Sequence, residues 1–211
     1  VTKHVYGINV ETSAPTSKGI FNAIKTTYNF ISGSFDLKGM HVAISGVGKV
    51  GGKLAILLFN AGVKITVASI NQDTINQLKK KISLIEVNPE NLFKTKCDII
   101  SPCALGKAIN ATSKNHLRCK AIVGAANNQL DNPQIADWLL KNKIIYSPDY
   151  LVNSGGVIAI ASEINATKDS LEEQLDKISD RLIPVLTESK KNNESTDTVS
   201  RRIAWERVNA C

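Results

Sequence analysis

The 211-residue sequence is 43% hydrophobic and 21% charged, a balance that excludes disordered and fibrous classes and suits one α/β domain with a substantial core. Its formal net charge is +7, but the lysines are dispersed. The one run, Lys79-Lys80-Lys81, closes a predicted helix where cations suit the dipole, so no nucleic-acid partner is expected.

No apolar stretch approaches the roughly 18–20 residues needed to cross a bilayer, and the first ten residues show no signal-peptide pattern, so no membrane partner is expected. The cysteines Cys97, Cys103, Cys119 and Cys211 form no C-x-x-C pair and have no His-rich partner motif. This spacing offers no metal site and fits a reduced, cytoplasmic setting.

Short apolar runs alternate with longer amphipathic ones along the chain. Ser13 and Pro15 read as the cap and first turn of a helix reaching about Phe30. Strands are predicted at 40–45, 64–70, 82–87, 97–101, 121–124 and 144–146, each rich in Val and Ile and bounded by turn residues. Helices are predicted at 50–60, 74–80, 114–117 and 133–141. After the last strand come helices at 156–164, at 169–190 with an interruption at Pro184, and at 198–208. Residues 190–195 read as the best linker. Such alternation predicts βαβ units, a mostly parallel sheet covered on both faces, and C-terminal helices.

The most informative local feature is Gly46-Val47-Gly48-Lys49-Val50-Gly51, placed between a predicted strand and a predicted helix. In that context the glycines have separate tasks. Gly46 permits a tight turn, Gly48 lets the backbone approach a pyrophosphate, and Gly51 lets helix and strand pack closely. The helix N-terminus then offers backbone N–H groups to phosphate, and Lys49 adds a cation. A Rossmann-type, doubly wound domain that binds a dinucleotide is expected. One part departs from that pattern: Ser69 stands at the end of the second strand, where an acidic residue would bond the adenosine ribose. A serine still bonds ribose but neither repels nor strongly attracts a 2′-phosphate. No Arg follows, so NAD is expected ahead of NADP.

Three further segments extend the pattern: Ser101-Pro102-Cys103-Ala104-Leu105-Gly106, Gly124-Ala125-Ala126-Asn127-Asn128-Gln129-Leu130, and Ser147-Pro148-Asp149-Tyr150-Leu151-Val152-Asn153-Ser154-Gly155-Gly156-Val157. With the glycine loop, they resemble the cofactor domain of the Glu/Leu/Phe/Val dehydrogenases, nearest the leucine and phenylalanine branch. The resemblance covers nearly the whole chain. It implies that the Cys103-Ala104 turn lies against the adenosine side or ribose. It also implies that Asn127 or Asn128 bonds the nicotinamide ribose or carboxamide, and that Asn153 reaches the nicotinamide and the substrate. Read as residues alone, Asn127 and Asn128 are equally turn formers and Asn153 a helix N-cap. Cys103 has no His placed to activate it as a nucleophile.

The resemblance further implies that Val157 and Ile160 line the side-chain pocket and narrow it toward leucine, valine or isoleucine. The family's catalytic lysines and aspartate are expected upstream of Val1, so no catalytic residue is expected in this chain. Residues 1–194 then form the dinucleotide-binding domain with its flanking helices. Residues 195–211 form a helix that packs toward the absent domain. The activity implied is NAD-dependent oxidative deamination of a branched-chain L-amino acid to its 2-oxo acid and ammonia, by a homo-oligomer when full length. The rival reading is a non-catalytic or degenerate NAD-sensing module, which would use the glycine loop but not the Cys103 and Asn153 segments.

Overall fold

The computed structural model describes residues 11–165 and 169–210. Its first half contains α1 (Ser13–Ser32), β1 (His41–Ser45), α2 (Lys49–Asn60), β2 (Lys64–Ala68), α3 (Gln72–Lys79), β3 (Ile85–Glu86), α4 (Pro89–Leu92) and β4 (Ile99–Pro102). A 3-10 turn at Ser113–His116 leads to β5 (Ala121–Ile122), α5 (Gln134–Lys141) and β6 (Ile145–Tyr146). The chain closes with α6 (Asp149–Val152), α7 (Gly155–Asn165), α8 (Leu171–Asn192) and α9 (Thr196–Asn209).

The strands form one parallel sheet in the order β3-β2-β1-β4-β5-β6. The order reverses between β1 and β4, and that reversal opens a crevice at the carboxyl ends of the strands. Side chains alternate between two covered faces, as a buried parallel sheet requires. Val42, Ile44, Ile99, Ala121 and Val123 face Ile20 and Ile24 of α1, Leu54 and Leu58 of α2, and Ile178 and Leu182 of α8. Ala43 and Ile100 point to the other face, against Leu92 of α4. Each fully buried aliphatic side chain contributes roughly 1.5–3 kcal/mol through loss of water contact.

All six expected strands are present, although several are shorter than their apolar runs. Strand β2 stops at Ala68 because its carbonyl turns to accept the Gly46 N–H at 2.7 Å, and Ile70 is left 95% exposed. Strand β3 keeps two residues: the amides of Lys81 and Ile82 still bond the Leu78 carbonyl and finish α3. The expected helix at 114–117 is the single 3-10 turn, and α4 was absent from the predicted set.

Two helix ends and one helix interior depart from expectation. Ser13 does not cap α1; instead the Glu11 carboxylate accepts the N–H groups of Ser13 and Ala14, each at 3.0 Å. Pro184 does not interrupt α8, which runs unbroken from Ser170, whose side chain forms a capping box with Glu173. Pro184 sits on the solvent side beside exposed Asp180, whose carbonyl water can satisfy, while buried Leu182, Val185 and Leu186 hold the helix to the core. The expected linker at 190–195 is a tight turn: Asn193 takes the left-handed conformation (φ 55°), and Ser195 and Thr196 are buried.

Helix α1 is clasped by α8. Asn22 Nδ2 donates to Asp176 Oδ1 at 2.8 Å, and Lys18 pairs with Glu172 at 3.1 Å above the Ile20–Ile178 packing. Among the described residues no helix is long and apolar enough to cross a membrane.

Candidate active site

The loop after β1 sets the geometry. Gly46 has φ +87°, which the turn out of the strand demands. A Cβ on Gly51 would lie 2.0 Å from the Gly46 carbonyl oxygen and 3.1 Å from Cys103 Cβ, so α2 can begin here only without a side chain. Gly48 differs: nothing lies within 4 Å of the position its Cβ would take. It is the N-cap of α2, no side chain caps that end, and the first turn carries no acid. Backbone N–H groups and the positive end of the helix dipole therefore converge beside open space. Lys49 and Gly48 are exposed there, Val50 is half-buried, and Val47 is buried beneath the loop as its packing anchor.

Neighbouring strand ends extend this ridge. Half-buried Ser69 follows the residue that holds Gly46, and its Oγ accepts the Asn71 N–H at 3.2 Å. Cys103 N–H donates to the Ser45 carbonyl at 2.7 Å, which fastens the loop after β4 to the end of β1. Exposed Ala104 lies against Gly46, whose missing Cβ would be 2.7 Å from Ala104 Cβ. Burial pushes the Cys103 thiol up, away from nucleophile chemistry.

The asparagines separate into two roles. Asn128 has φ 51° and its carbonyl accepts the Lys107 N–H at 2.6 Å, so it shapes the turn. Asn127 instead meets Asn153, whose Nδ2 donates to Asn127 Oδ1 at 2.6 Å and to the Ala125 carbonyl at 3.5 Å. Asn153 does not cap α7. It ends α6, while the Ser154 carbonyl accepts the first bond of α7 from Ile158 at 2.9 Å. Its amide is thus committed across the gap between the β5 and α6–α7 loops.

Two residues beneath this pair were not singled out from sequence. Gln129 is fully buried, and its Nε2 donates to the carbonyls of Gly124 (2.8 Å) and Ala126 (3.0 Å). Its backbone N–H donates to Asp149 Oδ2 at 2.7 Å. Asp149 opens α6, and its own N–H donates to the Tyr146 hydroxyl at 3.1 Å. Burial holds the Tyr146 phenol neutral, and the Asp149 charge adds to that effect. The available signals were an acid just after Pro148 and a polar residue following the Asn pair; neither spacing identifies a partner.

Val157, 70% exposed, and half-buried Ile160 lie three residues apart on α7 and form an apolar strip after the Asn153 turn. No group of three or more His, Cys, Asp or Glu gathers as a metal site among the described residues. An apolar hollow of about 480 Å³ lined by Phe30, Leu140, Ile145 and Leu186 opens beside β6, at the opposite end of the strands from the glycine loop. The chemistry, rather than that hollow, locates the site.

The reversed strand order, the helix-opening glycine loop and the joined amides at the same end of the sheet define a Rossmann-type dehydrogenase domain. The chain belongs to the Glutamate/Leucine/Phenylalanine/Valine dehydrogenase family, whose profile matches residues 66–210. It is 39% identical to the phenylalanine dehydrogenase of Thermoactinomyces intermedius, across 96% of this chain and 56% of that protein. It is 33% identical to the leucine dehydrogenase of Geobacillus stearothermophilus, across 98% and 58%. The crystal structure of L-tryptophan dehydrogenase from Nostoc punctiforme superposes with a TM-score of 0.91 at 33% identity, across 95% of this chain and 60% of that one. The chain therefore spans a little over half the length of the relatives it matches. Their names carry three different amino acids, so kinship gives the class, while a leucine-like preference has to be argued from the pocket.

Proposed function

We propose that this chain is the NAD-binding half of an amino-acid dehydrogenase whose substrate is a branched-chain L-amino acid. The observation that carries the reading is the Asn127–Asn153 amide pair at the same strand ends as the uncapped α2 N-terminus. The groups present fit a dinucleotide: open space at Gly48, unopposed N–H groups and Lys49 suit the pyrophosphate. The Ser69 hydroxyl serves the adenosine ribose, and Cys103 and Ala104 border the adenosine side. Asn127, Asn153 and the turn shaped by Asn128 serve the nicotinamide end. The bound dinucleotide supplies the hydride acceptor. This chain's residues bind and orient it, while the lysines and aspartate that handle the amine belong to the remainder of the protein. Val157 and Ile160 favour an aliphatic side chain over an aromatic ring.

Three free cysteines among the described residues fit a reducing cytoplasm. The exposed Trp205 and Val208 of α9, beyond its buried start at Thr196 and Val199, fit docking toward the rest of a homo-oligomeric enzyme.

Calorimetric titration of NAD and NADP tests the cofactor reading. NAD is expected to bind without turnover of leucine by this chain alone, and Ser69→Asp is expected to widen the preference for NAD over NADP by about tenfold, the equivalent of one charge–phosphate repulsion of roughly 1.4 kcal/mol. Absence of binding by either nucleotide would remove the proposal. Ser69 favours one second reading, a nucleotide-sensing module; leucine turnover by the full-length protein would dismiss it.

A further inference from the structure

We infer that Gln129 is the positioning residue of the nicotinamide end: it sets the spacing of the Asn127 and Asn153 amides without itself touching a ligand. The inference rests on the cofactor reading above and deepens it. Gln129 binds both halves of the site at once. Its side-chain NH₂ takes the carbonyls of Gly124 and Ala126, the second of which directly precedes Asn127. Its backbone N–H takes the carboxylate of Asp149. Asp149 in turn accepts the Asn153 N–H on its backbone carbonyl at 2.9 Å, so the start and end of α6 are tied to the same residue. The Asn153 side chain then returns to Asn127 at 2.6 Å and closes the circuit.

Both N–H bonds of the Gln129 amide are used, which fixes its orientation: reversing it would set an oxygen against two carbonyl oxygens. Among the described residues its buried Oε1 has no hydrogen-bond partner. An apolar side chain of similar size would relieve that one acceptor but leave the carbonyls of Gly124 and Ala126 without these donors. The two donated bonds hold the loop carrying Asn127 in register with Asn153.

The experiment compares NAD with ADP-ribose, which lacks the nicotinamide, by calorimetry on the full chain. In the unaltered protein NAD is expected to bind more tightly than ADP-ribose. Gln129→Met keeps the volume and removes both donated bonds. It should bind ADP-ribose as before and lose most of the NAD advantage, about tenfold. Gln129→Asn, whose shorter amide cannot span both carbonyls, should fall the same way and serves if the Met variant does not melt cooperatively. Equal weakening for both ligands would mean a merely structural role and overturn the inference, as would an undiminished NAD advantage. If the unaltered chain binds NAD no better than ADP-ribose, there is no nicotinamide contact to position and the inference also fails. If it binds neither, the cofactor reading itself has failed.

Discussion

Two glycines of the phosphate loop separate folding from binding. At Gly51 an added methyl meets a backbone oxygen at 2.0 Å, and neither partner can move without opening the β1–α2 turn. Gly51→Ala should therefore lower stability by about 3 kcal/mol or more, read as a drop in urea midpoint. At Gly48 the same methyl meets nothing and the backbone has an ordinary φ of −71°, so Gly48→Ala should unfold within about 1 kcal/mol of the unaltered chain. Its NAD affinity should still fall by about tenfold or more, because the methyl fills the phosphate's space. The reverse pattern would show that the cradle lies elsewhere. The residue types of the loop were legible because few backbones need three glycines at that spacing. The split between Asn127 and Asn128 was not, since either fits a turn and only the fold reveals which one faces Asn153. Gln129 was less legible still, because its partners lie in two separate segments.

Among the elements, strand β1 carries a titratable group at its entrance. His41 is half-buried, with Nε2 2.8 Å from Thr66 Oγ1 on β2. Burial, and next the nearby Lys64 charge, pull its pKa below the ordinary 6.5. The unfolded chain therefore binds a proton first as pH falls. The stability that His41 preserves is complete above pH 6.5 and drains away as pH drops from there through the depressed folded value. Chemical denaturation at pH 7.5 and 5.5 should show this loss, and His41→Gln should flatten it; an unchanged slope would assign it to other groups. Element types were largely readable from sequence because both faces of the sheet are covered, which makes each strand a continuous apolar run. Their ends were not, because the ladder stops where a carbonyl finds a loop partner, as at Ala68, or where a helix keeps its last amides, as at Ile82. Pro184 misled for a related reason: a missing N–H matters little when the orphaned carbonyl faces water and the helix is anchored on its opposite side.

At the scale of the molecule, the parallel sheet covered on both faces followed from alternation and the glycine loop together, while the order of its strands was not read from the sequence. The clasp between α1 and α8 did not follow either, since no local pattern links residues 154 apart. That clasp governs how the protein is made. Ile20 and Ile24 are made well over a hundred residues before their covering partners Ile178 and Leu182. Until α8 has been made, α1 has an apolar flank without its partner. A chain ended after α7 should therefore lose its cooperative melt and associate, while one lacking only the exposed end of α9 should still melt as a unit; the opposite result would mean that α1 is secured by the sheet alone. Over that interval of synthesis the nascent chain is a client for chaperones, and α8 acts as the latch that ends that dependence.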